Sequence, residues 1–255
     1  MTPSMRIAPV LLALLVACVP AAAKDAAGLR IATEGAFPPF SDVTADGEVR
    51  GFDVDIANAL CAHMQVTCEI VTQDWDGLIP GLQAGKFDVI VASMTITEER
   101  RKQVAFTHRY YSTPLALVAR KDSGLAGIEP AALAGRALGA QAASVHADYA
   151  QSVYGRAGAD VKLYPSVDEV LMDLANGRLD AAISDKFALV DWMRKSDRDC
   201  CEIAGTLKDS ETHAGIAVRL DDQALRNRLD AALDAVLADG TYRTIQARYF
   251  DFDIY

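Results

Sequence analysis

A pattern of apolar and polar positions occurs twice along the chain. Residues 82–93 (LQAGKFDVIVAS) and 174–185 (LANGRLDAAISD) each predict the end of an amphipathic helix, a glycine, a basic–apolar–Asp connection and a short buried strand. In a parallel sheet, ligands bind beyond the carboxyl ends of the strands. The first copy ends in Ser93 and the second in Asp185. We therefore expect two lobes facing each other across a cleft, with a hydroxyl on one wall and a carboxylate on the other.

Apolar runs and one-sided apolar stripes alternate along both halves of the chain. The apolar runs predict short strands over 29–33, 88–92, 115–119, 137–140 and 214–218. The stripes predict helices after Gly51, from Trp75 onward and over 225–237. The order βαβα in each half is typical of α/β lobes.

The chain is expected to cross between the lobes twice. The first crossing comes just before strand 115–119, and strand 214–218 returns the chain to the first lobe. Two crossings make a hinge rather than a rigid linker. The prediction is therefore two α/β lobes joined by a two-stranded hinge, with a first lobe over 24–113, a second over 114–211 and a return segment of the first lobe over 212–255.

The first 23 residues predict a secretory signal peptide. Arg6 gives the positive end, residues 7–17 the apolar core, and Ala21–Ala23 a small-residue cleavage site. The apolar run is shorter than the roughly 20 residues that span a bilayer. The sequence LVAC that ends at Cys18 also resembles a lipobox, so a lipid anchor at Cys18 is the alternative to plain secretion, which we favour. Either way the protein is exported.

Charge and histidine placement exclude two classes of function. The chain has 25 Lys and Arg against 35 Asp and Glu, and loss of the single Arg of the signal peptide leaves a net charge of −11. An acidic chain without basic clusters is not expected to bind nucleic acid. The four histidines are scattered without the spacing of zinc ligands, so no metal site is predicted.

Four cysteines remain after the signal peptide. An exported protein with an even number of cysteines is expected to form disulfides, and four cysteines allow three pairings. Cys61–Cys68 closes a short loop at the end of one helix and is the pairing we predict. Cys200 and Cys201 are adjacent, so they either form a strained local disulfide or remain thiols; the sequence leaves both open.

Several motifs then point to one family. They are GFDVDIANALCAHM at 51–64, SxTITxxR at 93–100, DGTY at 239–242 and YF at 249–250. Together they resemble the periplasmic polar-amino-acid-binding proteins that feed ABC importers, and among these the lysine/arginine/ornithine- and histidine-binding branch. That branch also has a disulfide at the position of Cys61 and Cys68.

The resemblance implies a type II periplasmic-binding-protein (Venus-flytrap) fold and a receptor rather than an enzyme, without a cofactor. The expected ligand is a cationic L-amino acid: arginine, lysine or ornithine, with histidine as a further possibility. A membrane ABC permease is the expected partner, the periplasm the expected location and a monomer the expected state. The sequence does not rank these amino acids or identify the permease.

The resemblance also implies contacts to the backbone groups of the ligand. Arg100 matches the arginine that holds the α-carboxylate, and a planar guanidinium suits this role because it donates two parallel hydrogen bonds. Asp185 matches the aspartate that receives the α-ammonium group. Ser93 and Thr95 match contacts to the ligand carboxylate, and Ser144 is expected to contact it from the second lobe.

The remaining contacts concern the ligand side chain. Glu34 matches the acidic group that faces it; if Glu34 is desolvated on closure, a neutral ligand leaves a buried charge unpaired, which selects cations. Phe37 and Trp75 match positions that flank the aliphatic stem. Each of these predicted binding residues also has an alternative, purely structural role: a solvated arginine on a helix, a helix cap, a carboxylate in a turn or an aromatic side chain in the core.

Two departures from the branch affect affinity and specificity. Ala92 stands where a second serine is usual, and the loop Ala142-Ala143-Ser144 replaces Gly-Thr-Thr. The open alternatives are a receptor for opines or other polar amino acids and an enzyme on the same scaffold, similar to cyclohexadienyl dehydratase, with Glu34 or Asp185 as acid or base.

Overall fold

The strands predicted from apolar runs join into one sheet that passes through both lobes. The computed structural model describes residues 28–195 and 199–255. The eleven strands of these residues are β1 (Leu29–Thr33), β2 (Ala36–Phe37), β3 (Ser41–Val43), β4 (Val49–Arg50), β5 (Cys68–Thr72), β6 (Val89–Ile90), β7 (Val104–Arg120), β8 (Ala137–Gln141), β9 (Asp160–Tyr164), β10 (Ala181–Asp185) and β11 (Cys201–Arg219). The signal peptide prediction and Cys18 lie outside the described residues.

The helices alternate with these strands as expected for α/β lobes. They are α1 (Phe52–Met64), α2 (Leu78–Gln83), α3 (Glu98–Arg101), α4 (Val145–Tyr149), α5 (Val167–Ala175), α6 (Lys186–Arg194), α7 (Gln223–Ala238) and α8 (Thr241–Gln246). Trp75–Gly77 is a 3₁₀ turn that leads into α2, and Ala150–Gly155 is a π-helical turn after α4. In this described part of the chain, none of the helices combines the length and apolar composition that a membrane span requires.

The long strands β7 and β11 connect the lobes. The strand order of the large sheet is β5-β1-β6-β11-β7-β10-β8-β9, and β7 pairs with β11 in antiparallel register. One end of this pair continues into the parallel strands β6, β1 and β5, and the other into β10, β8 and β9. The two-lobed fold is therefore confirmed, with two adjacent strands as its connection.

The register of the β7–β11 pair changes where the lobes meet. Thr206 pairs with Ala116, but the next paired residue, Glu211, lies opposite Pro114, so four residues of β11 bulge out. The predicted lobe boundaries at 113/114 and 211/212 stay predictions. The apolar pattern predicts only residues 115–119 and 214–218 of these strands, because polar side chains and Pro114 interrupt it elsewhere.

An aromatic cluster anchors the first lobe beneath its cleft-facing loop. Phe52, at the start of α1, contacts the rings of Phe40, Tyr110 and Tyr111 at centroid distances of 6.0, 6.2 and 6.0 Å. All four side chains are fully buried. The Cys61–Cys68 disulfide joins α1 to β5, and Cys200 is bonded to Cys201, which is the local disulfide of the two alternatives.

Gly51 allows the loop after β2 to pack against the start of α1. Its φ is +130°, and a Cβ atom at this position would lie 2.2 Å from the carbonyl oxygen of Phe40. Phe52 N and Asp53 N also donate hydrogen bonds to the carbonyl oxygens of Pro39 and Phe40. Any side chain at position 51 must therefore separate the loop from the helix.

We predict that Gly51→Ala lowers the free energy of unfolding by about 3 kcal/mol or more, because it adds backbone strain and a clash with a main-chain atom. Gly47→Ala is the control, since Gly47 also has a positive φ (+84°) but nothing lies within 4 Å of its added Cβ. That variant should lose only about 1 kcal/mol. Urea denaturation followed by circular dichroism measures both, and equal losses would contradict the packing argument.

Candidate ligand-binding site

Both copies of the sequence repeat end at the same cavity. Ser93 lies three residues beyond the end of β6, and Asp185 is the last residue of β10. All eight residues predicted to bind the ligand line this cavity, together with Ala92, Gln141, Val145 and His146. The structure thus brings the two walls of the expected cleft together.

Arg100 presents a positive charge to the cavity. It lies in the short helix α3, whose first turn is capped by the Thr97 hydroxyl accepting a hydrogen bond from Arg100 N at 3.1 Å. Nη1 donates to the carbonyl oxygen of Thr95 at 2.9 Å, and the guanidinium lies over the Trp75 ring, 5.1 Å from its centroid. Among the described residues Arg100 makes no salt bridge with a carboxylate, so its charge is available to an anion.

Burial lowers the pKa of Arg100 to about 10, although the negative charges of Asp148 and Asp185 oppose this shift. The side chain is therefore still a cation at neutral pH.

Glu34 presents a carboxyl group to the same cavity. The side chain is 9% exposed, and its Oε1 accepts a hydrogen bond from Gln141 Nε2 at 2.6 Å. Burial raises the pKa of Glu34 to about 7, with smaller contributions from the negative charges of three aspartates; the hydrogen bond from Gln141 opposes the shift. Within residues 28–195 and 199–255 no Lys, Arg or His forms a salt bridge with Glu34.

Asp185 and His146 form a buried pair in the second lobe. His146 Nε2 lies 2.9 Å from Asp185 Oδ1, with the two side chains 8% and 4% exposed. Asp185 precedes α6 but makes no side-chain capping hydrogen bond, so the helix-cap alternative does not describe it.

The three hydroxyl residues have different surroundings. Ser93, whose φ is +52°, donates through Oγ to Asp53 Oδ2 at 2.9 Å. Ser144 Oγ donates to the carbonyl oxygen of Gln141 at 2.6 Å and caps α4 by accepting from Ala147 N at 3.2 Å. Thr95 is buried beside Arg100 and does not cap α3, because Thr97 does.

Trp75, Arg100 and Gln141 hold the lobes closed. Trp75 Nε1 and Arg100 Nη2, from the first lobe, both donate to the carbonyl oxygen of Ala143, at 3.0 and 3.3 Å. The Gln141–Glu34 hydrogen bond adds a third contact between the lobes. Phe37 lines the cavity and stacks on Phe40 at 5.5 Å between ring centroids.

Asp53 is a buried carboxylate next to Ser93 and was not among the predicted site residues. It accepts hydrogen bonds from Ser93 Oγ and from the Tyr110 hydroxyl, the latter at 2.7 Å, and it is fully buried. Burial raises its pKa to about 7, although these hydrogen bonds oppose the shift. Its spacing from Ile56 and Leu60, on the buried face of α1, was the signal that could have identified it.

We predict that Asp53→Asn removes part of the pH dependence of stability. Because the folded-state pKa is raised from 3.8 to about 7, the folded protein holds this proton after the unfolded chain has lost it. Stability therefore falls as pH rises through this window, by about 1 kcal/mol per pH unit for this group. Urea denaturation at several pH values measures the slope, which the exposed control Asp46→Asn should leave unchanged. An identical slope in wild type and Asp53→Asn would contradict the assignment.

Comparison with known proteins agrees with this geometry. The family described as bacterial extracellular solute-binding proteins, family 3, matches residues 29–252. The L-arginine-binding protein of Pseudomonas aeruginosa is 43% identical over 249 residues, which cover 96% of this chain and 95% of the relative. The lysine/arginine/ornithine-binding periplasmic protein of Escherichia coli is 37% identical over 254 residues, 96% of each chain.

A solved structure, an ancestral arginine-binding protein bound to arginine, superposes with a TM-score of 0.83 at 35% identity. The match covers 88% of this chain and 98% of that one. From these matches, this chain belongs to family 3 of the bacterial extracellular solute-binding proteins.

Proposed function

We propose that this protein is a periplasmic receptor that captures a cationic L-amino acid and delivers it to an ABC importer in the membrane. The observation that carries the proposal is one cavity lined by a guanidinium and a buried carboxylate, Arg100 and Glu34, neither of which has a counter-ion among the described residues. A molecule with both a carboxylate and a cationic side chain neutralises both. Arginine, lysine and ornithine have this combination, and the names of the two relatives above contain the same amino acids.

In the proposed complex, Arg100 holds the α-carboxylate through two parallel hydrogen bonds. Asp185 receives the α-ammonium group, and Glu34 pairs with the cationic side chain. Phe37 and Trp75 flank the aliphatic stem, where an aromatic face also attracts a cation. Thr95, Ser93 and Ser144 complete the carboxylate site. The hydroxyl protons of Ser93 and Ser144 are donated within the protein, so these residues reach the ligand by exchanging those hydrogen bonds.

Closure supplies the selectivity. The lobes close through Gln141, Trp75 and Arg100, and closure surrounds Glu34 with protein. A charge desolvated in this way is costly unless a cation accompanies it, so a cationic ligand shifts the population toward the closed state more than a neutral one does. The closed form is then the state that the permease recognises.

The proposed role is binding without a chemical step, by a monomer. The relatives named above are binding proteins, which supports this proposal over the dehydratase alternative. Conversion of prephenate or arogenate by the purified protein would contradict it. A tighter complex with octopine than with arginine would favour the opine alternative.

We predict that Arg100→Ala weakens binding of every α-amino acid at least about 100-fold, because two charge-assisted hydrogen bonds to the ligand carboxylate are lost. Isothermal titration calorimetry with arginine, lysine and glutamine measures this. The control is Arg101→Ala, a neighbouring arginine in α3 whose side chain is 48% exposed and lies 3.8 Å from Glu98. Arg101→Ala should keep wild-type affinity; retained binding in Arg100→Ala would exclude this carboxylate site.

We predict that Glu34→Gln weakens the binding of arginine and lysine roughly 10- to 100-fold, and that glutamine binds as tightly as before or more tightly. The reason is that the variant removes the buried negative charge while keeping the shape of the side chain. Exposed Glu48→Gln is the control for the same change of charge. Parallel calorimetric titrations separate the outcomes, and an equal loss for glutamine and arginine would refute the role of Glu34 in selecting cations.

A further inference from the structure

His146 lies against the carboxylate that the proposed function assigns to the ligand's α-ammonium group. Its Nε2 is 2.9 Å from Asp185 Oδ1, and both side chains line the cavity. An ionised carboxylate only accepts hydrogen bonds, so Nε2 carries the proton in this contact. The contact uses Oδ1, and a carboxylate has further lone pairs with which to bind a second donor. His146 can therefore hold Asp185 in place while Asp185 receives an ammonium group.

The second ring nitrogen shows which form of His146 fits this site. Nδ1 is buried and has no hydrogen-bond partner within the described ranges. In the neutral ring with its proton on Nε2, Nδ1 carries a lone pair. An unpaired buried lone pair is tolerated better than an unpaired buried N–H. A protonated ring instead has a buried Nδ1–H without an acceptor and a positive charge against Asp185.

We propose that His146 is a positioning and specificity-determining residue of the ligand site. This proposal rests on the proposed function. In its neutral form His146 orients Asp185 toward the α-ammonium group. In its protonated form it takes the place of that group as the counter-charge of Asp185, so that amino acids bind more weakly. The protonated ring and the ligand's ammonium group compete for one carboxylate. The loss of affinity on protonation of His146 therefore requires an α-amino group on the ligand and does not depend on the ligand side chain.

Other charged groups surround this pair. Asp148 lies on the same helix α4, and Lys186 follows Asp185 at the start of α6. From the first lobe, Arg100 and Glu34 line the cavity, and Asp53 and Tyr111 interact electrostatically with Asp185. A bound ammonium group and Arg100 both oppose a positive charge on His146, whereas the carboxylates favour it. Glu34 and Asp53 also change charge near pH 7, so the test must separate them from His146.

The test compares two ligands and two proteins at two pH values. Arginine and 5-guanidinopentanoate, which lacks only the α-amino group, are titrated by calorimetry into wild type and His146→Gln near pH 8 and near pH 5.5, the range over which histidine changes charge. Gln keeps a donor near the position of Nε2 but cannot be protonated. We expect wild type to lose about 10-fold more affinity for arginine at the lower pH than His146→Gln does. The two proteins should show the same pH dependence for 5-guanidinopentanoate, because Glu34 and Asp53 are common to both.

His63→Gln is the matched control. His63 Nε2 lies 3.0 Å from Asp239 in a partly exposed pair that does not line this cavity. His63→Gln should keep the wild-type pH dependence of the affinity for arginine. If His146→Gln also keeps it, or if His146→Gln changes the pH dependence for 5-guanidinopentanoate by the same factor as for arginine, the inference is wrong while arginine binding stands. Failure of wild type to bind arginine, lysine or ornithine at any pH would instead overturn the proposed function.

A second measurement uses wild type alone, in case His146→Gln does not fold. Calorimetry near pH 6 in buffers of different ionisation enthalpy gives the number of protons released on binding. Arginine should release a larger fraction of a proton than 5-guanidinopentanoate does, because only the α-ammonium group displaces the proton of His146. Equal proton release for the two ligands would overturn the inference.

Discussion

The constraint on which this site depends is that closure encloses charges for which residues 28–195 and 199–255 provide no counter-ion. Arg100 and Glu34 line one cavity. Burial lowers the pKa of Arg100 and raises the pKa of Glu34, so it favours the uncharged form of each. A protein that had evolved only to be stable would pair such groups or leave them in water. In the proposed complex the ligand provides both counter-charges, an anion for Arg100 and a cation for Glu34.

The sheet explains why Ser93 and Asp185 reach the same cavity. β7 and β11 run side by side through both lobes, so β6 and β10 lie on opposite sides of the same pair of strands. Their carboxyl-terminal segments, which contain Ser93 and Asp185, reach the cavity from the two lobes. The duplicated sequence pattern thus reflects a shared position relative to the central strands.

Local patterns predicted much of this architecture. The bounds of β1 are those expected from its apolar run, and α7 extends only slightly beyond the predicted 225–237, because in both segments periodicity and packing favour the same structure. The first half of β7 and the first half of β11 were missed. Each pairs with the second half of the other strand, more than 80 residues away in sequence, and such pairing leaves no periodic signal in either strand alone.

The site residues divide in the same way. The eight predicted residues lie at the cavity, because motifs that match residue by residue also specify position. Asp53 and His146 were missed because their importance comes from a neighbour distant in sequence: Ser93 and Tyr110 for Asp53, and Asp185 for His146. A residue whose role depends on such a partner is recognised only once the fold brings the two together.

The two hydrogen bonds that end on Ala143 have an evolutionary consequence. Trp75 and Arg100 both donate to its backbone carbonyl, an acceptor that every amino acid provides. The side chain at this position can therefore change without loss of either contact, provided that the new residue tolerates the φ of +55° at Ala143. Substitutions in this loop can therefore change the ligand preference of the cavity while the two hydrogen bonds that close the lobes are retained.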